Sequence, residues 1–455
     1  MNGKANGRAP RAAEAPRAAG TPRTAGPAGT TGSPAAASSS GAARSPRTAG
    51  DSGARPRLDR GRGALGPALE LVHTGRAPTR AVLTAELGVT RATAGAVAAE
   101  LEALGLIRVD AHPGAAAGSQ GRPSHRLEVA EDGPVVLAAQ VHADGFRAAL
   151  VGLGGRIVVT SPGCETVDAD PAKVLGSVVE AGTALLDQTG RRCVGAGLAV
   201  PSAVAEPEGL ALNPLHLAWP AGAPVREIFA DRVRAAGIAG PAFAGNDINL
   251  AALAEHRHGA GRGARDLLCV ATGHRGVGGA LVLDGRLHTG SSGLALEVGH
   301  LAVNPEGRPC HCGGRGCLDV EADPLALLTA AGRDPGPVVS LLDQANGLIR
   351  GHYADDPAVR AATETLIDRL GLGLAGLVNI LNPDRIILGG LHRTLLDTDP
   401  DRLRAVVADR SLWGRSGGVP ILACTLDHNS LVGAAELAWQ PVLDDPSAVL
   451  APQPT

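Results

Sequence analysis

The chain has 455 residues, 44% of them hydrophobic, and a formal net charge of −3. That is enough apolar material for two or three folded domains, and the near-neutral total neither favours nor excludes nucleic acid as a partner. No apolar run approaches the roughly 20 residues that span a bilayer, and no apolar stretch of a signal peptide follows the basic N-terminus. The expectation is a cytoplasmic protein with no membrane partner.

Residues 1–62 read as a disordered basic arm. Lys4, Arg8, Arg11, Arg17, Arg23 and the arginines from Arg44 to Arg62 are opposed only by Glu14, Asp51 and Asp59, in a background of Ala, Gly, Pro, Ser and Thr. Such a segment cannot bury a core, and it is either a non-specific phosphate-binding arm or an inert extension.

From 63 to 130 the pattern changes to short amphipathic helices and a hairpin. Leu65, Leu69 and Val72 share a helical face that Gly75 ends; Thr79 caps a second helix carrying Val82, Leu83 and Leu87, ended by Gly88. Thr90 begins a third, with Val97, Leu101 and Leu104 facing inward and Gly105 as its stop. Leu106–Val109 and His125–Val129 then alternate as two strands around a loop containing Gln120-Gly121-Arg122-Pro123. Three helices and a hairpin spell a winged helix-turn-helix. Its geometry puts Thr90, Arg91 and Thr93, at the start of the third helix, near base edges or phosphates, and Arg80 and the wing residue Arg122 near phosphates. A small helical cap or partner-docking module is the alternative.

Residues 131–441 read as α/β. Strands at 135–141, 147–151 and 156–159 form an antiparallel series, a helix covers 172–188, and 194–201 is a strand running into a loop. A second half repeats the form at 267–272 and 280–283, with a helix at 362–381 and a strand at 385–388, which points to a cleft between two similar halves. The last residues, 442–455, are read as a disordered tail.

Between 297 and 319 the chain gathers His300, Cys310, Cys312 and Cys317, one imidazole and three thiols within a few turns. Cys₃His is a usual ligand set for structural Zn²⁺, and its binding energy folds a loop that has little core of its own. The alternative is a group of reduced cysteines without metal. Cys164, Cys193, Cys269 and Cys424 are isolated and unpatterned, as expected of small buried hydrophobes in a reducing compartment.

The cysteine loop, together with Glu297-Val-Gly-His300, Gly245-Asn246-Asp247-Ile-Asn249 and the helix-turn-helix, resembles the ROK (repressor, open reading frame, kinase) family, and more narrowly its xylose-repressor-like regulators. The resemblance covers about Ala64 to Pro441. It implies an α/β fold: a winged helix-turn-helix followed by a bilobal, actin-like and hexokinase-like (RNase H-like) domain with a sugar in the interlobe cleft. Position by position, it implies sugar contacts from Asn246, Asp247, Glu297, His300 and Asp319, with Asp247 at the catalytic-base position of the family's kinases. Zinc on His300 would orient the ring toward the sugar and do no Lewis-acid work. Asp319 stands where the family has glutamate. Asn213 and Trp219 resemble a loop that closes over the ligand, and for Trp219 core packing is an equal alternative.

The nucleotide half departs from the kinases. Gln140 replaces the acidic residue of the first phosphate loop, Ser202 replaces a glycine, and His274-Arg275 replaces a small pair in the second loop, Thr272–Gly279. The expectation is therefore a non-enzymatic regulator, repressing carbohydrate genes from operator DNA as a homodimer or homotetramer and answering to a sugar effector. The alternative is an active ATP-dependent sugar kinase.

Overall fold

The computed structural model describes residues 62–450, apart from 111–123, 144, 166–167, 215–216, 274, 338–339 and 413–417. Capping threonines delimit the first helices. Helix α1 (Leu65–His73) ends ahead of Gly75, which takes φ +68°. The Thr79 hydroxyl accepts the Val82 N–H at the start of α2 (Arg80–Leu87), and Gly88 closes that helix in the left-handed region. Thr90 does the same for α3 (Arg91–Ala103), accepting the Thr93 N–H at 3.1 Å. Strands β1 (Ile107–Asp110) and β2 (Arg126–Val129) pair antiparallel, Ile107 opposite Val129. The loop between them, with Arg122, lies outside the described residues.

The next segment builds a sheet. Strands β3 (Val135–His142), β4 (Gly145–Val151) and β5 (Ile157–Thr160) run antiparallel, and β6 (Cys164–Glu165) adds to β4. Helix α4 (Pro171–Thr189) returns the chain to β7 (Cys193–Val200), parallel to β3 and buried at every position. A ribbon of β8 (Val204–Ala205) and β9 (Leu210–Ala211) precedes α5 (Val225–Ala235) and β10 (Ala242–Asn246), which lies parallel to β7. Helix α6 (Asp247–His258) leads away from it.

The pattern then repeats. Strands β11 (Leu267–Thr272), β12 (Val277–Leu283) and β13 (Arg286–His288) are antiparallel. The cysteine loop follows, then helices α7 (Leu318–Glu321), α8 (Pro324–Ala330), α9 (Leu341–His352) and α10 (Pro357–Leu381). Strand β14 (Arg385–Gly389) joins β11 in parallel; α11 (Leu391–Thr398) and α12 (Pro400–Arg410) lead to β15 (Ile421–Ala423), parallel to β14. The two sheets, β10-β7-β3-β4-β5 and β15-β14-β11-β12-β13, have the same order, so the chain holds two copies of one α/β plan.

Helix α13 (Asn429–Asp444) and α14 (Pro446–Leu450) close the described chain, and they correct two sequence expectations. Residues 442–450 are not a disordered tail: Val442, Leu443 and Leu450 are buried, while 451–455 fall outside the described residues. Pro441 sits inside α13 and Pro446 opens α14, where a missing N–H costs little. Nor do 63–130 and 131–441 have separate cores. Leu65, Leu69, Leu101 and Leu106 share one apolar cluster with Val136, Val151, Leu250 and the fully buried Trp439.

Helix α13 reaches both neighbours at backbone distance. A Cβ on Gly197 of β7 would lie 1.9 Å from the Ala434 carbonyl oxygen, and one on Gly433 would lie 1.9 Å from that of Leu250 in α6. Alanine at a helical glycine ordinarily gains about 1 kcal/mol of propensity. At Gly433 the clash is with backbone and outweighs that gain, so Gly433→Ala is expected to destabilise by about 1–3 kcal/mol. Gly376 on α10, with nothing within 4 Å, is the control. Gly376→Ala should be neutral or stabilising in the same chemical-denaturation experiment, and equal effects at the two positions would refute the packing argument.

Candidate functional site

The Cys loop is built by turns that only glycine allows at its tightest point. Gly316 takes φ +61°, and a Cβ there would fall 1.4 Å from the Asn304 carbonyl oxygen. Bridges pair Ala302 with Cys317 and Pro309 with Arg315. The result brings the four expected ligands together: one ring nitrogen of His300 and the Sγ atoms of Cys310, Cys312 and Cys317 all lie within 4.8 Å of one another. His300 Nδ1 is 3.7 Å from Cys310 Sγ, and Cys312 Sγ is 3.7 Å from Cys317 Sγ. A tetrahedron with metal–sulfur bonds of about 2.3 Å has edges of about 3.8 Å, so the donor set fits a four-coordinate thiophilic ion. All three thiols are free, and the Gly314 N–H draws the Cys312 thiol below its ordinary range.

His311 was not singled out by the sequence. Its ring stands edge-on to His300 at 5.1 Å, with Nδ1 3.9 Å from Cys310 Sγ and 3.5 Å from Asp319 Oδ2. His300, Cys310, His311 and Asp319 form a second overlapping group of possible ligands. The signal was its place between two cysteine ligands.

The second group of expected residues lies where β10 passes into α6. Asn246 caps the helix, its Oδ1 accepting the Asn249 N–H at 3.1 Å, while its Nδ2 donates to the Ser202 carbonyl at 3.0 Å. Ser202 Oγ in turn accepts the Asn213 N–H. This leaves Asn246 one amide hydrogen and one lone pair for a ligand. Asp247 accepts the Ile248 N–H at 2.8 Å, and burial pushes its carboxyl up to about 6. A carboxylate held near neutrality is suited to accepting a hydroxyl proton.

The two groups are joined through β12. Ile248 packs on Gly278 and Val298 on Gly279, where a Cβ would fall 3.1 Å from Ile248 Cγ2 and 2.5 Å from Val298 Cγ2 respectively. Burial also raises the Glu297 carboxyl, with His300 opposing and Asp319 adding to the shift. Asp319 is differently engaged from the expectation for the family's glutamate. Its Oδ1 accepts the Val277 N–H at 2.7 Å and is wedged against Gly276 and Gly299, so its shorter side chain serves the backbone of the second glycine loop. Asp323 is buried beside it, its carboxyl raised by desolvation against the N–H groups of Ala326 and Gly276. Trp219 is core: 6% exposed, with its indole N–H donating to the Asp168 carbonyl.

In the N-terminal module, Thr90 and Arg91 are exposed and Thr93 is half-buried, its hydroxyl 2.9 Å from that of Thr90. Arg80 is half-buried at the start of α2, its guanidinium near Gly95 of α3. His274 and Arg122 lie outside the described residues. Among the described residues no helix is long and apolar enough to cross a membrane.

Comparison with known proteins gives this arrangement a family. The ROK family model matches residues 137–440. The xylose repressor of Caldicellulosiruptor bescii is 25% identical over 324 residues, 69% of this chain and 79% of the repressor. The transcriptional dual regulator NagC of Escherichia coli K12 is 29% identical over 212 residues, 44% of this chain, and the match spans only 51% of NagC. A glucokinase of Halalkalibacterium halodurans is 31% identical over 208 residues, 43% of this chain and 61% of the kinase. Among solved structures, a ROK family transcriptional regulator homologous to the E. coli Mlc protein shares the fold, with TM-score 0.65 and 23% identity over 84% of this chain and 96% of that one. A ROK family glucokinase from Streptomyces griseus, solved with glucose and AMPPNP, superposes with TM-score 0.57 and 25% identity over 67% of this chain and 99% of its own. Since the family match runs through both copies of the α/β plan and the cysteine loop, this chain belongs to the ROK family.

Proposed function

We propose that the chain is a DNA-binding transcriptional regulator, acting as a repressor of carbohydrate genes, and that a sugar bound beside Asn246, Asp247, Glu297 and His300 controls it. The observation that carries this is the N-terminal module of three helices and a hairpin, packed into one core with the ROK lobe and presenting Thr90 and Arg91 on an exposed helix start. Its element order is that of a winged helix-turn-helix, which lays such a helix start in the major groove. Resemblance to the xylose repressor and to NagC supports the same reading. A homodimer or homotetramer fits it, because paired modules match paired half-sites.

His300, Cys310, Cys312 and Cys317 would hold one zinc ion, a fixed four-coordinate anchor with no open catalytic position. His300 turns Nδ1 to Cys310 Sγ, which would leave Nε2 for a sugar hydroxyl. Asp247 and Glu297 supply acceptors for further hydroxyls.

A sugar kinase is the second reading, favoured by Asp247 and its raised pKa and by the glucokinase relatives. Against it stand Gln140, which cannot hold Mg²⁺ as a carboxylate does, and the Val277 N–H already committed to Asp319.

Fluorescence anisotropy on the chain's own upstream DNA, titrated with sugars, is the deciding test. Specific binding relieved by one sugar is expected, with Arg91→Ala weakening it at least tenfold, a loss of about 1.4 kcal/mol. Binding of no specific DNA, together with Mg²⁺-dependent phosphorylation that Asp247→Asn abolishes, would replace this reading with the kinase.

Metal analysis should find one zinc per chain, absent in Cys312→Ser, and that variant should lose sugar response more than DNA affinity. An unchanged sugar response would separate the metal from the pocket.

Asp247 receives a hydroxyl proton only when ionised. Sugar affinity should therefore be full well above pH 6, drop by about half near pH 6 and keep falling below it. Calorimetry of Asp247→Asn should show weak binding without this dependence.

A further inference from the structure

Helix α6 begins at Asp247 and ends, about 18 Å away at 1.5 Å per residue, in Arg257 and His258. Its far end meets a fully buried carboxylate, Glu436 of α13. Arg257 Nη1 lies 2.6 Å from Glu436 Oε2, and His258 Nε2 2.8 Å from Oε1. The third partner comes from the DNA-binding module: His73, the last residue of α1, puts Nε2 2.9 Å from Oε2 and 3.1 Å from Oε1. The two imidazoles meet edge to face at 4.9 Å.

The hydrogen bonds fix the protons. The Gly154 N–H donates to His73 Nδ1 at 2.9 Å, so that nitrogen carries no hydrogen and Nε2–H must donate to Glu436. His73 is neutral, in keeping with a burial that lowers its pKa, and Arg257 supplies the full charge that balances Glu436. Burial alone would raise the Glu436 carboxyl, but the Arg257 charge and the hydrogen bonds donated to it hold it below the usual range. The same tautomer argues against a metal here, because Nε2 of His73 has no lone pair to give. A second tie lies alongside: Arg262, just past α6, donates to the Thr74 carbonyl that ends α1.

We propose that α6 is the lever that carries sugar occupancy at Asn246 and Asp247 to the DNA-binding module, with Glu436, Arg257, His258 and His73 as the buried joint where it turns α1. This rests on the regulator reading above. A displacement of α6 along its axis cannot be absorbed locally: Gly433 and Leu250 touch through backbone, and Glu255 on the same helix accepts the N–H groups of Ala260, Thr425 and Leu426. Charged hydrogen bonds among buried groups hold or break and do not stretch far, and in this proposal sugar binding favours one of those two conditions over the other.

The test uses the full-length, zinc-loaded protein with D-glucose, D-xylose and N-acetyl-D-glucosamine as probes. Two variants are compared with wild type: Glu436→Gln, and His73→Leu, which leaves the contacts of Glu436 within the lobe intact. Both should bind sugar and upstream DNA separately with near wild-type affinity, while the ratio of DNA Kd with and without sugar collapses to within about twofold of one. A ratio that stays at the wild-type value in either folded variant overturns the lever. Hydrogen exchange in wild type needs no variant: sugar should change protection across residues 65–73, and unchanged exchange there overturns the proposal. A wild type that binds sugar with no effect on DNA refutes the regulator reading instead, and exchange alone then decides the joint. Loss of a second zinc equivalent in Glu436→Gln would make the cluster a metal site and overturn the joint as drawn.

Discussion

Helix α13 can touch β7 and α6 at backbone distance only because Gly197 and Gly433 lack side chains, and the rest of the structure is arranged around that contact. The other faces of α13 carry Trp439, Val442 and Leu443 into the core shared with α1 and α3. Three parts of the chain that are remote in sequence are thereby packed on one rod: the sheet that ends in the Ser202 loop, the helix that begins at Asp247, and the module that carries Arg91. Close packing transmits displacement where a loose core would absorb it.

The cysteine loop follows the opposite principle. Between Glu297 and Leu318 the chain places few side chains in a core, Val298, Val303, Cys310 and Cys317 being the buried ones, and leaves much of the rest exposed. Order there depends on backbone bonds such as Cys310 N–H to Gly314 O and on whatever draws the four donors together. On the regulator reading, because His300 belongs to that donor set and also stands beside Glu297, the loop's order would set the shape of the sugar site.

What could be read from the sequence was what local chemistry writes. Thr79, Gly88, Thr90 and Gly105 are cap and stop signals that act within a turn, and they mark α2 and α3 almost to the residue. The Cys310–Cys317 spacing is equally local. The shared core was not legible, because Leu69 and Trp439 each look like ordinary helix residues and nothing in a window of chain relates them. The same holds for Glu436 and His73, which are 363 residues apart and would each pass for a surface charge. Pro441 is carried inside α13 although its ring normally ends a helix, because burial of Val442 and Leu443 beyond it outweighs one lost hydrogen bond.

On the regulator reading, the second glycine loop is a kinase plan turned to sensing. Phosphate cradles work by pointing free N–H groups at an anion. Here the Val277 N–H points at Asp319 and the Gly276 N–H toward Asp323, so the loop already holds carboxyl groups of its own. A phosphate brought to within about 4 Å of an ionised carboxylate would meet repulsion of about 4 kcal/mol per unit charge at an effective dielectric constant of 20. A neutral sugar at Asp247 meets no such term. On the regulator reading, the site can thus keep its affinity for hydroxyls while the nucleotide side serves as fixed structure, and with α6 as the proposed lever the free energy of sugar binding is available to move it.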